Sequence, residues 1–392
     1  MSHLMNIYGR QPVTFTRGEG VWLWDGAGNK YLDALSGVAV NGLGHAHPKL
    51  VKAISQQVAK LIHVSNIYHI AEQEALANKL AEISGMDKVF FCNSGCEANE
   101  AAIKLARLYG HNKGIEIPEI IVMERSFHGR TMATLSATGN RKAQAGFEPL
   151  VSGFIRVPYD DLEAVKQIAS RKNNVVAILV EPIQGEGGIH IPTDMAAYLQ
   201  GLRKVCDDNG WLLMLDEVQC GIGRTGTWFA FQHTGMLPDV MTLAKGLGSG
   251  VPIGACVAKG VATEVFTPGK HGSTFGGNPL ATTAGLATLN AIVEEKLREN
   301  AHTMGDLICN NLRHALNGVA GVMMIRNAGL MIGIELDRPC AELVNMALQD
   351  KLLINVTAEK VVRLLPPLII NQTEANELAT RLAKLIREFL KI

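Results

Sequence analysis

An acid and a lysine, each following an apolar run, are the residues of this sequence best placed to do chemistry. Met214-Leu215-Asp216-Glu217-Val218-Gln219 reads as a strand ending in two acids, and the run from Val240 to Leu243 leads into Ala244-Lys245-Gly246. A lysine amine attacks a carbonyl only when desolvation or a nearby cation lowers its pKa, and the end of a buried strand offers that setting. An aspartate in the same place can keep a pyridine nitrogen protonated, because a negative neighbour favours the charged ring; the two together make an electron sink. A buried Asp–Lys ion pair closing the sheet accounts for these residues equally well.

A third stretch tips that balance. Asn93-Ser94-Gly95-Cys96 follows the apolar run Lys88 to Cys92 and opens a helix in which Ala98, Ala101, Ala102, Leu105 and Ala106 recur at helical spacing. Free backbone N–H groups and the positive helix end then meet at Ser94 to Cys96, where glycine allows close approach of a phosphate. An ordinary helix cap explains the same residues taken alone. Two other patterns attract attention and carry less. Gly221-Ile222-Gly223-Arg224-Thr225-Gly226 matches a dinucleotide fingerprint, the basis for a nicotinamide dehydrogenase reading, but Asp216 to Cys220 separates it from its strand and no long helix follows. His45-Ala46-His47-Pro48 lacks a third ligand, so no metal is expected.

The elements that must position these residues alternate along the chain. Short β-rich runs at Lys88–Cys92, Glu119–Met123, Gly153–Val157, Val175–Val180, Trp211–Leu215, Val240–Leu243 and Gly254–Val257 are separated by helical patterns. Such alternation predicts an α/β fold with a mostly parallel sheet, whose ligands gather at the carboxyl ends of the strands. Residues 13 to 33 read as a small β meander. After Pro279 come a long helical stretch, a hairpin over Val322 to Leu336 turning at Asn327-Ala328-Gly329, the strand-like Val361 to Leu364 and a final amphipathic helix, a smaller α+β unit.

Length and charge set the outer bounds. The chain's 392 residues exceed what one core usually holds, and Lys+Arg 37 against Asp+Glu 37 creates no field for nucleic acid or an acidic membrane. Seven cysteines without a CxxC pair read as reduced thiols of a cytoplasmic protein, and Met1 to Pro12 has no signal-peptide character. The division expected is residues 1–44 as an N-terminal segment packing with the small domain, 45–275 as a large cofactor-binding domain and 276–392 as the small domain.

Taken in order, seven stretches resemble the class III, ornithine-type aminotransferases of pyridoxal-phosphate fold type I, closest to the acetylornithine branch. They are Asn93-Ser94-Gly95 to Glu100, Ser126-Phe127-His128-Gly129-Arg130, Glu181-Pro182-Ile183-Gln184-Gly185-Glu186-Gly187-Gly188, Asp216-Glu217-Val218-Gln219, Ala244-Lys245-Gly246, Gly272-Ser273-Thr274-Phe275-Gly276-Gly277-Asn278-Pro279 and Arg363-Leu364-Leu365-Pro366-Pro367. The resemblance spans nearly the whole chain. It implies that Lys245 binds pyridoxal 5'-phosphate covalently and then moves a substrate proton, while Asp216 pairs with the pyridine nitrogen and Gln219 with the phenolic oxygen. By the same resemblance Phe127 and Val218 sandwich the ring, His128 lies beside it, and Ser94, Gly95 and Cys96 hold the phosphate together with Thr274 of a second subunit in a homodimer. A weak thiol donor at Cys96 departs from the threonine or alanine of relatives. Arg363 and Arg130 are implied to grip substrate carboxylates, with Glu186 pairing with Arg363 when no carboxylate is there. The reaction implied moves the terminal amine of N2-acetyl-L-ornithine to 2-oxoglutarate in arginine biosynthesis, with succinyl-diaminopimelate, ornithine or 4-aminobutyrate as alternative donors. A binding protein on a degenerate aminotransferase scaffold is the non-enzymatic reading.

Overall fold

The computed structural model describes residues 3–391, so the outermost residues of the expected end segments, Met1, Ser2 and Ile392, lie outside the described residues. A seven-stranded sheet forms the centre, in the order Lys88–Cys92, Gly254–Ala258, Val240–Leu243, Leu212–Asp216, Val175–Val180, Glu119–Met123, Phe154–Val157. Strand Gly254–Ala258 runs antiparallel to both of its neighbours, and the pairs beyond it are parallel. The sheet is therefore mostly parallel, and the six other strands point their carboxyl ends the same way. Val175–Val180 and Leu212–Asp216 are buried throughout, as strands covered by helices on both faces must be.

Two smaller sheets flank it. The N-terminal strands Phe15–Glu19, Trp22–Asp25 and Lys30–Asp33 form the meander expected, and Leu352–Leu353 from the C-terminal part adds to its edge in parallel. The other sheet, ordered Val322–Ala328, Met331–Leu336, Val361–Leu364, Asn355–Thr357, is antiparallel. Its hairpin turns later than the sequence suggests. Ala328 still pairs with Met331, so the two residues between them, Gly329 and Leu330, make the turn, and Asn327 pairs with Ile332 inside the ladder. The long helical stretch after Pro279 is two helices, Pro279–Glu294 and Leu297–Ala315, broken where Lys296 adopts φ 53°. Among the described residues no helix is long and apolar enough to cross a membrane.

The Gly221 to Gly226 segment is a series of turns, not the start of a long helix. Arg224 within it is buried and donates to the carbonyls of Leu330 and Pro366, so this segment fastens the central sheet's loops to the C-terminal sheet. His45 and His47 go to separate acids: His45 Nε2 lies 2.8 Å from Asp33 and His47 Nε2 lies 3.2 Å from Glu295.

Candidate active site

Strands Lys88–Cys92, Val175–Val180, Leu212–Asp216 and Val240–Leu243 end on one cavity of about 370 Å³. Helix Gly95–Asn112 begins at its wall; Ser94 caps it, accepting from Glu97 N at 3.2 Å through its hydroxyl and from Ala98 N at 3.0 Å through its carbonyl, and the N–H groups of Gly95 and Cys96 have no partner among the described residues. Gly95 is packed so closely that a Cβ there would come within 2.8 Å of Val218. The Cys96 thiol is engaged by the neighbouring loop, accepting from the Arg130 backbone at 3.0 Å. The departure at this position thus serves loop packing, and the anion cradle is left to backbone groups.

Asp216 is nearly sealed from solvent. Its Oδ2 accepts from Asn99 Nδ2 and faces His128 Nδ1, both at 2.8 Å, and its Oδ1 accepts from Val218 N at 3.0 Å. Lys245 lies on the same cavity at φ 44°, a left-handed conformation that costs energy for a residue with a Cβ. Burial lowers the pKa of its amine; Glu186, Asp216 and Glu181 act against that, and Arg363 acts with it. The net direction favours the neutral, nucleophilic amine. Phe127, Val218 and Gln219 complete this part of the wall. Gln219 is accommodated only because residue 185 is glycine, where a Cβ would meet its side chain at 2.2 Å.

Arg363 is 2% exposed and lies behind Gln219. Its Nη1 donates to Glu186 Oε1 at 2.6 Å and to Gln219 Oε1 at 3.1 Å, and its Nε to Asn355 at 3.0 Å. Burial alone would raise the Glu186 pKa, yet the charge and hydrogen bond of Arg363, together with the Lys245 charge and a Gln219 hydrogen bond, hold the carboxyl below its usual value. Glu186 and Arg130 both line a second, outer cavity of about 1480 Å³, which meets the first at Phe127. The Arg130 guanidinium lies 5.7 Å from the Phe127 ring centre. Thr274 stands apart: it is exposed on a loop and contributes to neither cavity wall of its own chain.

Three residues of the site went unrecognised in the sequence. Asn99 and Thr242 belong to the bonding of Asp216, and Glu181 is a fully buried acid on the inner cavity. Burial, then the Asp216 charge, raise the Glu181 pKa well above the carboxylate range. Its two oxygens accept from Phe127 N at 3.1 Å and Gly185 N at 3.3 Å, tying the loop of Arg130 to the loop of Glu186. An asparagine on the apolar face of helix Gly95–Asn112 was the available signal for Asn99; Glu181 gave none that separates it from a solvated strand end.

These walls fit pyridoxal phosphate. A backbone anion cradle with no room for a Cβ at Gly95, a carboxyl group with a partly unfilled Oδ1, and a desolvated amine share one cavity. Comparison with known proteins agrees. The family model described as Aminotransferase class-III matches residues 6–386. Acetylornithine aminotransferase of Nitrosomonas europaea is 64% identical over 391 residues, covering 100% of this chain and 99% of that protein. Among solved structures, the acetylornithine aminotransferase of Elizabethkingia anophelis superposes with a TM-score of 0.87 at 35% identity, covering 99% of this chain and 97% of that one. The ornithine aminotransferase of Toxoplasma gondii, described with partial occupancy of PLP at its active site, superposes with a TM-score of 0.95 at 33% identity, covering 100% and 93%.

Proposed function

This chain belongs to the class-III aminotransferases, pyridoxal-phosphate-dependent transaminases of the α/β type, and from that premise we propose that it moves the terminal amino group of N2-acetyl-L-ornithine to 2-oxoglutarate. The setting is arginine biosynthesis in the cytoplasm. The relatives' specificity supports the donor, and the ion pair between Arg363 and Glu186 carries the mechanism. Such an enzyme must accept a terminal amine with no adjacent carboxylate in one half-reaction and the α-amine of glutamate in the other. Arg363 paired with Glu186 presents no free cation to the first substrate. The α-carboxylate of glutamate then takes the place of Glu186 on the guanidinium, a bidentate match. Arg130, which has no carboxylate partner among the described residues, takes the γ-carboxylate of glutamate or the α-carboxylate of acetylornithine.

Bound pyridoxal phosphate would supply a carbonyl for the amine and a ring that accepts the electron pair left when a proton leaves the substrate carbon. Ser94, Gly95 and Cys96 would hold its phosphate through backbone N–H groups, Phe127 and Val218 would pack against the ring, and Gln219 would bond its phenolic oxygen; all six line the cavity. Asp216, bonded to His128 at 2.8 Å, would pair with the ring nitrogen. Lys245, whose amine burial pushes toward the neutral form, would be the residue that holds the group covalently and the base that moves the substrate proton.

Two copies are proposed to share the sites. Ile62, Ile67, Tyr68 and Phe275 are exposed apolar residues around the loop of Thr274, where Asn66 Nδ2 donates to Ser273 O at 3.0 Å. A face of this kind needs a cover, and a second copy of this chain would bring Thr274 to the neighbouring phosphate site. Sedimentation of the purified protein should give a dimer mass.

Initial rates with acetylornithine, succinyl-diaminopimelate, ornithine and 4-aminobutyrate test the donor. Acetylornithine should give the highest kcat/KM, and a best substrate lacking a terminal amine ends the assignment. The likeness to ornithine aminotransferase makes ornithine the competing donor.

A further inference from the structure

Asp216 is held by a relay that begins two residues away from any cofactor contact. Thr242 Oγ1 donates to Asn99 Oδ1 at 2.8 Å, and Asn99 Nδ2 gives its hydrogens to Asp216 Oδ2 and to His128 O, each at 2.8 Å. Thr242, Asn99 and His128 are 0%, 1% and 1% exposed, so none of these groups has water as an alternative partner. The three contacts admit one amide orientation. Flipped, the amide oxygen would face a carboxyl oxygen and a carbonyl, and the amide hydrogens would face a hydroxyl that had been donating.

The consequence falls on the two oxygens of Asp216 unequally. Oδ2 is filled by Asn99 and by His128 Nδ1, which must carry its hydrogen there because a carboxylate only accepts; His128 Nε2 is left buried with no partner. Oδ1 has the single donor Val218 N at 3.0 Å and keeps acceptor capacity. Asn99 supplies its share as a neutral donor, so it fixes the carboxyl group without adding a cation beside it. It also stands four residues, about one turn, beyond Gly95 on helix Gly95–Asn112. One rigid helix therefore carries both the backbone cradle for an anion and the amide that sets the acid.

We infer that Asn99, oriented by Thr242, is a positioning residue that turns Asp216 so that Oδ1 meets the pyridine nitrogen of the cofactor. The inference rests on the reading that Asp216 faces that nitrogen, and the experiment separates the two. Five variants, Asn99→Ala, Thr242→Val, the double variant Asn99→Ala/Thr242→Val, Thr242→Ser and Asp216→Asn, are compared with the wild-type holoenzyme in three measurements. These are the pH titration of the bound cofactor's absorbance, the affinity of the apoprotein for pyridoxal phosphate, and kcat and KM for each substrate.

Loss of one hydrogen bond to a charged group should lower kcat in Asn99→Ala by about 10-fold to 100-fold, with KM changed less than about 2-fold. The absorbance titration should shift in the same variant and cofactor affinity should fall. Thr242→Val, nearly isosteric and so expected to fold, should show the same pattern at about 3-fold to 10-fold, and Thr242→Ser should restore wild-type behaviour. Because Thr242 acts through Asn99, the double variant Asn99→Ala/Thr242→Val should be no worse than Asn99→Ala alone. Wild-type titration and kcat in Asn99→Ala, or full additivity in the double variant, overturns the inference while Asp216→Asn remains impaired. Wild-type behaviour in Asp216→Asn overturns the reading beneath it.

Discussion

The two cavities that meet at Phe127 are made of different materials. The polar part of the inner wall is backbone N–H groups and buried side chains already bonded to one another, such as Asn99 and Asp216, with Thr242 holding Asn99 from behind the wall. The outer one is lined by charged side chains. Some are in ion pairs, Arg326 with Glu335 and Lys142 with Glu359, whereas Arg125, Arg130 and Arg141 have no carboxylate partner among the described residues. A group that stays through every turnover is best met by donors fixed in advance, since their ordering cost is met in folding. Substrates that alternate require partners able to exchange one carboxylate for another. The division between inner and outer wall thus matches the division between a resident cofactor and two successive substrates.

The largest effect should come from removing the one inner group that moves. Lys245→Ala should lower turnover by about 10⁴-fold or more, since it deletes both nucleophile and proton carrier. The apoprotein should still bind pyridoxal phosphate in equilibrium dialysis, because the anion cradle is untouched. Retention of more than a tenth of wild-type turnover would break the assignment of chemistry to the inner cavity.

Next comes the inner wall itself. In Gly95→Ala the new methyl would lie 2.8 Å from one Val218 methyl and 3.1 Å from the other, contacts that force the helix start or Val218 to shift. Overpacking of this kind costs about 1–3 kcal/mol, so affinity for pyridoxal phosphate should fall by about 10-fold while the fold, followed by circular dichroism, persists. Unchanged affinity would mean that the cradle is not rigid and that the contrast between the cavities is overstated.

The outer wall should answer differently to the two substrates. Glu186→Ala leaves Arg363 buried without its carboxylate partner until a substrate brings one. Single-turnover absorbance rates should fall about 10-fold more for the amine donor than for glutamate, whose own carboxylate fills the gap. Equal losses would remove the exchange of partners and leave Glu186 as a fixed wall residue.

How far this arrangement was legible depends on what kind of fact it is. Val175–Val180 and Val240–Leu243 stand in the sequence as short apolar runs between turn residues, and their limits were readable to the residue. The reversed direction of Gly254–Ala258 was not, because an apolar strand looks the same from either end. Of the two acids expected to end their strand, Asp216 does so, pairing with Thr242 as the last strand residue, and Glu217 lies beyond it. A polar side chain at a strand end gives no sign of whether it continues the ladder. In the site, motif residues were visible because they adjoin glycines and strand ends. Asn99 and Glu181 lie within those stretches, but their roles were not visible, since a buried polar residue and a solvated one have the same letter until packing separates them.

The smallest effect concerns Glu217, the acid next to Asp216 that faces neither cavity. It is 1% exposed, and its oxygens accept from Ala230 N and Phe231 N at 2.9 Å and from the Cys220 thiol at 3.0 Å. Burial dominates these donors and pushes its pKa from 4.5 up to about 7. Between those values the folded chain keeps a proton that the unfolded chain has lost. Unfolding therefore releases a proton, and the contribution of Glu217 to stability is full below about 4.5, declines as pH rises and is gone above about 7. The shift corresponds to about 3 kcal/mol over that window. Thermal melts of wild type and Glu217→Gln at pH 5 and pH 7.5 should show the wild type losing more stability on going to the higher pH, with turnover at a fixed pH altered less than in any variant above. Parallel pH profiles for the two proteins would show that Glu217 is ionised in both states, and that being sealed beside Asp216 does not suffice to keep a carboxyl protonated.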